Sequence, residues 1–122
     1  KLLKEHFKDL NAILNFEPGG HKMYVDSAKY QNQPIIVSEF GGIKFNQKEE
    51  KGNWGYSQVN DSSEFLKRFE SMVVALKNCK EIKGYCYTQL TDVETEHNGL
   101  MTYDRQFKIP VEDIAKVNNF DE

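Results

Sequence analysis

The sequence predicts an α/β fold with parallel strands, and the order of its apolar segments is the reason. The run from Pro34 to Phe40 is a short apolar strand that carries Glu39 near its end. A strand that is apolar on both faces belongs in a parallel sheet covered by helices, and proline is tolerated at a strand's first position. A second apolar run, Ile82 to Leu90, follows after a segment with helical spacing. Strand, helix and strand in this order predict a βαβ unit with a right-handed crossover.

Helices are predicted before, between and after the two strands. Residues 1–16 carry apolar side chains at helical spacing, and a Pro-Gly-Gly sequence ends that pattern. Asp61 and Glu64 have the spacing of a capping box, so they predict the start of a helix that reaches Asn78. The stripe of apolar and aromatic residues on this helix indicates core packing. A last helix is predicted over residues 111–120, where a proline stands at the first turn.

Glu39 is the main candidate for chemistry. It lies where a buried strand approaches its C-terminal end, and (β/α)8 enzymes place their catalytic groups at that end. Gly41 and Gly42 follow, and their lack of a Cβ leaves room for backbone or ligand above the strand. Long polar loops over residues 43–60 and 91–101 follow the two strands, where a barrel would have its active-site loops. The alternative interpretation of Glu39 is an ordinary acid where the strand meets solvent.

Composition excludes several classes of protein. The 122 residues are 39% hydrophobic and 29% charged with a formal net charge of −3, which fits one domain over residues 1–122. No apolar run has the length of a membrane span, and no basic stripe is present to neutralise nucleic-acid phosphates. Cys79 and Cys86 form neither a CxxC pair nor a zinc-finger spacing with histidine. The sequence therefore predicts no cofactor, no metal ion, no nucleic-acid partner and no membrane partner.

Four sequence blocks identify a family resemblance by their order and spacing. They are QPIIVSEFGG at 33–42, WGY at 54–56, GYCYTQLTDVE at 84–94 and EHNGLMTYDR at 96–105. Together they resemble the C-terminal part of the catalytic barrel of glycoside hydrolase family 2, which includes β-galactosidases, β-glucuronidases and β-mannosidases. The resemblance runs from about residue 33 to residue 120. It implies a partial (β/α)8 TIM barrel, formed by the last two βα units with flanking helices.

The resemblance also implies a function. Glu39 stands in the place of the family's nucleophile, in a retaining hydrolysis of β-linked sugars that needs two carboxylates about 5–5.5 Å apart. The family's acid/base glutamate belongs to the fourth barrel strand, which this sequence does not include. We therefore expect a carbohydrate substrate and, as partner, the remainder of a parent barrel from which this chain is an excised piece. The isolated chain is expected to be inactive and to self-associate through uncovered apolar edges. Neither the sugar nor the compartment is predicted.

Three aromatic or polar residues are candidates for contact with the sugar. Tyr87 and Gln89 lie near the end of the second strand, although other family members carry a tryptophan around this position. Trp54 has two interpretations, an aromatic platform for the sugar or a buried anchor of its loop. The acids of the second loop are Asp92, Glu94 and Glu96. They favour a solvated loop with local hydrogen bonds and salt bridges, and the alternatives are a substrate contact or a divalent-cation site. Their spacing does not fit an EF-hand.

Two alternatives to an enzyme remain open at this stage. One is a non-catalytic carbohydrate-binding or interaction fragment on the same scaffold, and the other is an unrelated α/β module with an incidental acid at a strand end. A binding-only protein would not need a carboxylate at Glu39. An Asn-Glu pair after an apolar strand upstream of Lys1 would favour the enzyme.

Overall fold

The computed structural model describes residues 5–45 and 57–119 and has a mixed α/β fold. Within these residues the α-helices and strands follow in chain order: α1 (Leu10–Leu14), β1 (Ile35–Gly41), β2 (Ile43–Lys44), β3 (Ser57–Gln58), α2 (Ser62–Lys77), β4 (Ile82–Thr88) and α3 (Val111–Asn118), with one 3-10 turn over Pro18–Gly20. β1 and β4 pair in parallel, and α2 lies between them in the sequence. The predicted βαβ unit is therefore confirmed.

Helix α2 begins where the capping box predicts. The Asp61 carboxylate accepts a hydrogen bond from the Glu64 backbone N–H at 2.8 Å, and this satisfies an N–H group of the first turn that has no helical partner. The Glu64 carboxylate accepts from the Asn60 backbone N–H at 3.1 Å. The apolar face of α2 is buried, as predicted, at Phe65, Phe69, Val73 and Leu76.

The core lies between α2, α3 and the segments that follow β1 and β4. Its buried residues are Ile43, Phe45, Val59, Phe65, Phe69, Val73, Leu100, Ile109 and Ile114. The Tyr85 hydroxyl donates to Oδ1 of Asn118 at 2.7 Å, so β4 is tied to α3 at one edge of this core. Among the described helices, none combines the length and the apolar character that a membrane crossing requires.

Two segments differ from the prediction. The sequence predicts one helix over residues 1–16, but the Asp9 carboxylate accepts from the Ala12 backbone N–H at 2.7 Å, so a new helix, α1, begins there and has five residues. The sequence predicts a loop over residues 43–60, but its described ends pair in parallel as β2 and β3. Strands of two residues contain too little alternation to be recognised from a pattern.

One edge of β1 lies beside an apolar cavity of about 540 Å³. The cavity is bordered by the N-terminal segment and by Met72 and Leu76 of α2. In the described part of the chain, β4 is the strand that pairs with β1. Ile36, within β1, is 60% exposed. Within the described residues, one face of β1 is therefore uncovered, in keeping with the apolar edges that the sequence leads us to expect in two βα units on their own.

Candidate functional site

The candidate site is a polar cleft at the C-terminal ends of the parallel strands β1 and β4. It has a volume of about 550 Å³ and is lined by Glu39, Phe40, Gly41, Gly42, Thr88, Glu96 and Asn98. The strand ends contribute the first five of these residues, and the loop after β4 contributes the last two. The carboxyl edge of a parallel sheet is the usual place for a ligand, because loops from adjacent strands meet there.

A β-bulge determines where Glu39 lies. Between two paired positions, Ser38 and Glu39 of β1 lie opposite the single residue Cys86 of β4. Both bulge residues are exposed, whereas Val37 before them and Phe40 after them are half-buried. Strict alternation from Val37 would have given Glu39 the covered side and Phe40 the open side. The extra residue returns Phe40 to the core and leaves Glu39 exposed, a use of bulges seen beside active sites.

The Glu39 side chain has no hydrogen bond or ion pair with any residue of 5–45 or 57–119. A nucleophilic glutamate has to be ionised, and neighbouring donors would stabilise its charge. Such donors do not occur among the described residues. The carboxylate is therefore exposed and is not held by this part of the chain, and Glu39 borders both the cleft and the apolar cavity along β1.

Gly41 is required for the close approach of the two strand ends. Its φ is +132°, and a Cβ there would lie 2.6 Å from the Thr88 carbonyl oxygen and 2.7 Å from the Tyr87 ring. A side chain at this position would separate β1 from β4. The glycine was expected to leave room for a ligand, and the geometry adds a packing reason for it.

Tyr87 and Gln89 lie beneath the cleft, and neither is among the residues that line it. The Tyr87 ring packs edge-on against Phe40 and Phe69, and its hydroxyl donates to the Asn98 carbonyl at 3.0 Å. Burial, with a smaller contribution from the charge of Asp92, raises the pKa of Tyr87 well above its ordinary value. The Gln89 amide donates to Oδ1 of Asn98 at 2.8 Å. In this arrangement both residues hold Asn98. The third candidate for contact with the sugar, Trp54, lies outside the described residues.

The loop after β4 is fixed by a buried ion pair. The Lys108 ammonium donates to Oδ1 of Asp92 at 2.6 Å, and both side chains are almost fully buried. The same ammonium donates to the carbonyls of Phe45 at 2.7 Å and His97 at 3.2 Å. Burial lowers the pKa of Lys108, and the Asp92 carboxylate opposes that shift. Asp92 also accepts from the Gly99 backbone N–H at 2.9 Å, so one carboxylate holds two parts of the loop.

This ion pair corrects the description of the acidic loop. Asp92 is buried, Glu94 is exposed with a φ of +48°, and Glu96 is half-buried at the cleft. The three acids therefore have different environments. The expected local hydrogen bonds and salt bridge occur at Asp92, but this residue is buried and not solvated. Within residues 5–45 and 57–119, no three metal-ligating side chains converge in a way that could hold an ion.

Asn98 is the cleft residue that sequence reasoning missed. Asn98-Gly99 has the composition of a turn, and a turn asparagine is usually exposed. Here Asn98 is 3% exposed, because Tyr87 and Gln89 bind it from below. These contacts join residues nine and eleven positions apart across an irregular loop. Sequence spacing alone carries no signal for them.

No model of a known protein family matches the chain, and no curated protein matches it either. What the chain does must therefore be inferred from the cleft.

Proposed function

We propose that this chain belongs to a retaining glycoside hydrolase, with Glu39 as the catalytic nucleophile and the last two βα units of a (β/α)8 barrel as the fold. The observation that carries this proposal is the position of Glu39, near the C-terminal end of a parallel strand and on the wall of a polar cleft. In (β/α)8 enzymes, this end of the strands carries the active site. A carboxylate that is exposed there is available to a ligand.

The proposed reaction has two steps. An oxygen of Glu39 attacks the anomeric carbon, while the bond to the leaving-group oxygen breaks and a second carboxylic acid protonates that oxygen. Water then attacks the glycosyl ester, the second group removes the proton, and the sugar leaves with retained configuration. The family resemblance assigns the second group to the fourth strand, so the rest of the parent barrel has to supply it.

The open side of β1 supports the barrel in this proposal. The cavity along β1 and the exposed Ile36 are apolar features that a neighbouring strand and its side chains would cover. A barrel closes every strand edge, whereas a sheet of two strands leaves one edge of each strand open. The remainder of the barrel is therefore the proposed partner of this surface.

The test is the Glu39→Gln substitution in the intact protein, assayed on an activated aryl β-glycoside. Glutamine keeps the shape of the side chain but lacks the nucleophilic oxygen, so turnover should fall at least about 1,000-fold. Mass spectrometry after treatment with a 2-fluoro sugar should find the label on Glu39. Glu70→Gln is the matched control, because Glu70 is exposed on α2 and does not line the cleft. Near-normal turnover in Glu39→Gln, or a label on another carboxylate, rejects Glu39 as the nucleophile. Glycoside binding without turnover in the wild-type protein favours the carbohydrate-binding alternative.

A further inference from the structure

Asn98 borders the cleft and has, among the described residues, a side-chain donor without an acceptor. Its Oδ1 accepts from Gln89 and its carbonyl accepts from Tyr87, so the side chain is held in one orientation. Within residues 5–45 and 57–119, its Nδ2 amide donates to no acceptor. Asn98 is 3% exposed and lines the cleft. Buried amide donors in proteins are nearly always satisfied, so a ligand or an ordered water has to accept from this one.

Glu96 supplies an acceptor on the same wall. Its backbone exchanges two hydrogen bonds with Val93, at 2.8 and 3.1 Å, so its position in the loop is fixed. Its carboxylate has no hydrogen bond or ion pair with any described residue. A carboxylate accepts and an amide Nδ2 donates, whereas a hydroxyl does both. A hydroxyl group of a sugar therefore has the chemistry to accept from Asn98 and to donate to Glu96.

The charges on the described lining of the cleft disfavour one class of sugar. The charged residues that line it are Glu39 and Glu96, and no lysine or arginine is among its described lining residues. The Lys108 ammonium, which holds the loop after β4, is buried and paired with Asp92. A uronic acid would bring a third carboxylate into this cleft, where like charges at a few ångströms repel one another.

We propose that Asn98 and Glu96 determine the specificity of the site, binding a hydroxyl of a neutral pyranoside and rejecting uronic acids. The proposal rests on the function proposed above, because it assigns the substrate class to that same cleft. Asn98 is the donor, Glu96 is the acceptor, and the negative charge of Glu96 provides the discrimination. Tyr87, Gln89 and Asp92 are positioning residues, which hold the loop that carries the pair.

The experiment measures binding, so that it does not depend on turnover. Isothermal titration of the intact protein uses phenyl 1-thio-β-galactoside and phenyl 1-thio-β-glucoside, each beside the corresponding uronide. The better neutral ligand should bind at least about 100-fold more tightly than its uronide, as expected when like charges are placed together. Glu96→Gln should reduce this ratio of neutral to uronide affinity at least about tenfold, since glutamine keeps an acceptor but removes the charge. Glu94→Gln should leave the ratio unchanged, because Glu94 is exposed and does not line the cleft.

A second variant tests the donor. Asn98→Asp keeps the oxygen that accepts from Gln89 but replaces the Nδ2 donor with an acceptor. The Kd of the neutral thioglycoside should rise at least about tenfold, since a site built to hydrogen-bond a hydroxyl loses its partner. The proposal is overturned if the uronide binds as tightly as the neutral thioglycoside. It is also overturned if Glu96→Gln and Glu94→Gln change the ratio of the two affinities equally. Failure of the proposed function has a separate signature, namely neutral thioglycosides that bind with the expected preference while the oxygen glycosides are not hydrolysed.

Discussion

Replacing Asp92 by asparagine should release the loop that carries the cleft residues. The substitution keeps the shape of the side chain and removes the charge that faces the Lys108 ammonium at 2.6 Å. Both side chains are about 95% or more buried, so water does not replace the lost partner. Removing one member of a buried ion pair costs about 3–5 kcal/mol. Because the Lys108 ammonium still donates to two backbone carbonyls, we expect the lower end, about 3 kcal/mol.

The assay is hydrogen–deuterium exchange of the Gly99 amide, which donates to Asp92 at 2.9 Å. A loss of about 3 kcal/mol in the free energy of opening corresponds to roughly 100-fold faster exchange. Asp26→Asn is the matched control. It breaks the Lys22–Asp26 pair, whose side chains are 68% and 89% exposed, and exposed pairs contribute at most about 1 kcal/mol.

The double variant Asp92→Asn with Lys108→Met separates charge burial from the general loss of contacts. With the ammonium also removed, the Gly99 amide should exchange more slowly than in the Asp92→Asn single variant. When both single variants are included, the coupling energy between the two substitutions should be at least about 2 kcal/mol. If Asp92→Asn behaves like Asp26→Asn, or if the two substitutions at the ion pair are additive, the buried pair does not hold the loop.

Two further predictions concern titration and thiol reactivity. Burial raises the pKa of Tyr87, so its contribution to stability is complete below the unfolded value of 10.0 and is lost as pH rises above it. The melting temperature should therefore fall above pH 10.0. Tyr87→Phe should reduce this fall. Tyr103→Phe should not, because Tyr103 is 73% exposed. Cys79 is buried and Cys86 is exposed, so iodoacetamide should modify Cys86 at least about tenfold faster, and equal rates would contradict the burial of Cys79.

The sequence was sufficient for the elements whose signals are local. Helix α2 has 16 residues, a cap and an apolar stripe that all indicate the same structure, and the order of apolar runs indicates parallel pairing. The break at Asp9 was missed because the apolar spacing continues across it, although aspartate is a frequent N-cap. The apolar composition of β1 indicates that the strand is suited to burial, but it does not identify the residues that cover each face.

The cleft itself was only partly predictable, because its walls depend on contacts between distant residues. Glu39 was identified from its place after an apolar strand, but the bulge that exposes it depends on the register with β4. The ammonium of Lys108 joins residues that are 16 and 63 positions away in the chain. No periodic pattern links such positions, so the burial of Asp92 and the exact place of Asn98 required coordinates.

The bulge in β1 has a consequence for the comparison and redesign of this strand. Ser38 acts as an inserted residue, so the alternation of inward and outward side chains is shifted by one residue after it. A strand one residue shorter, without Ser38, would keep Val37 and Phe40 covered and Glu39 open by plain alternation. A related strand without the bulge should therefore be aligned with a gap at Ser38. An ungapped alignment would match Glu39 to a core position and hide the carboxylate among apolar residues.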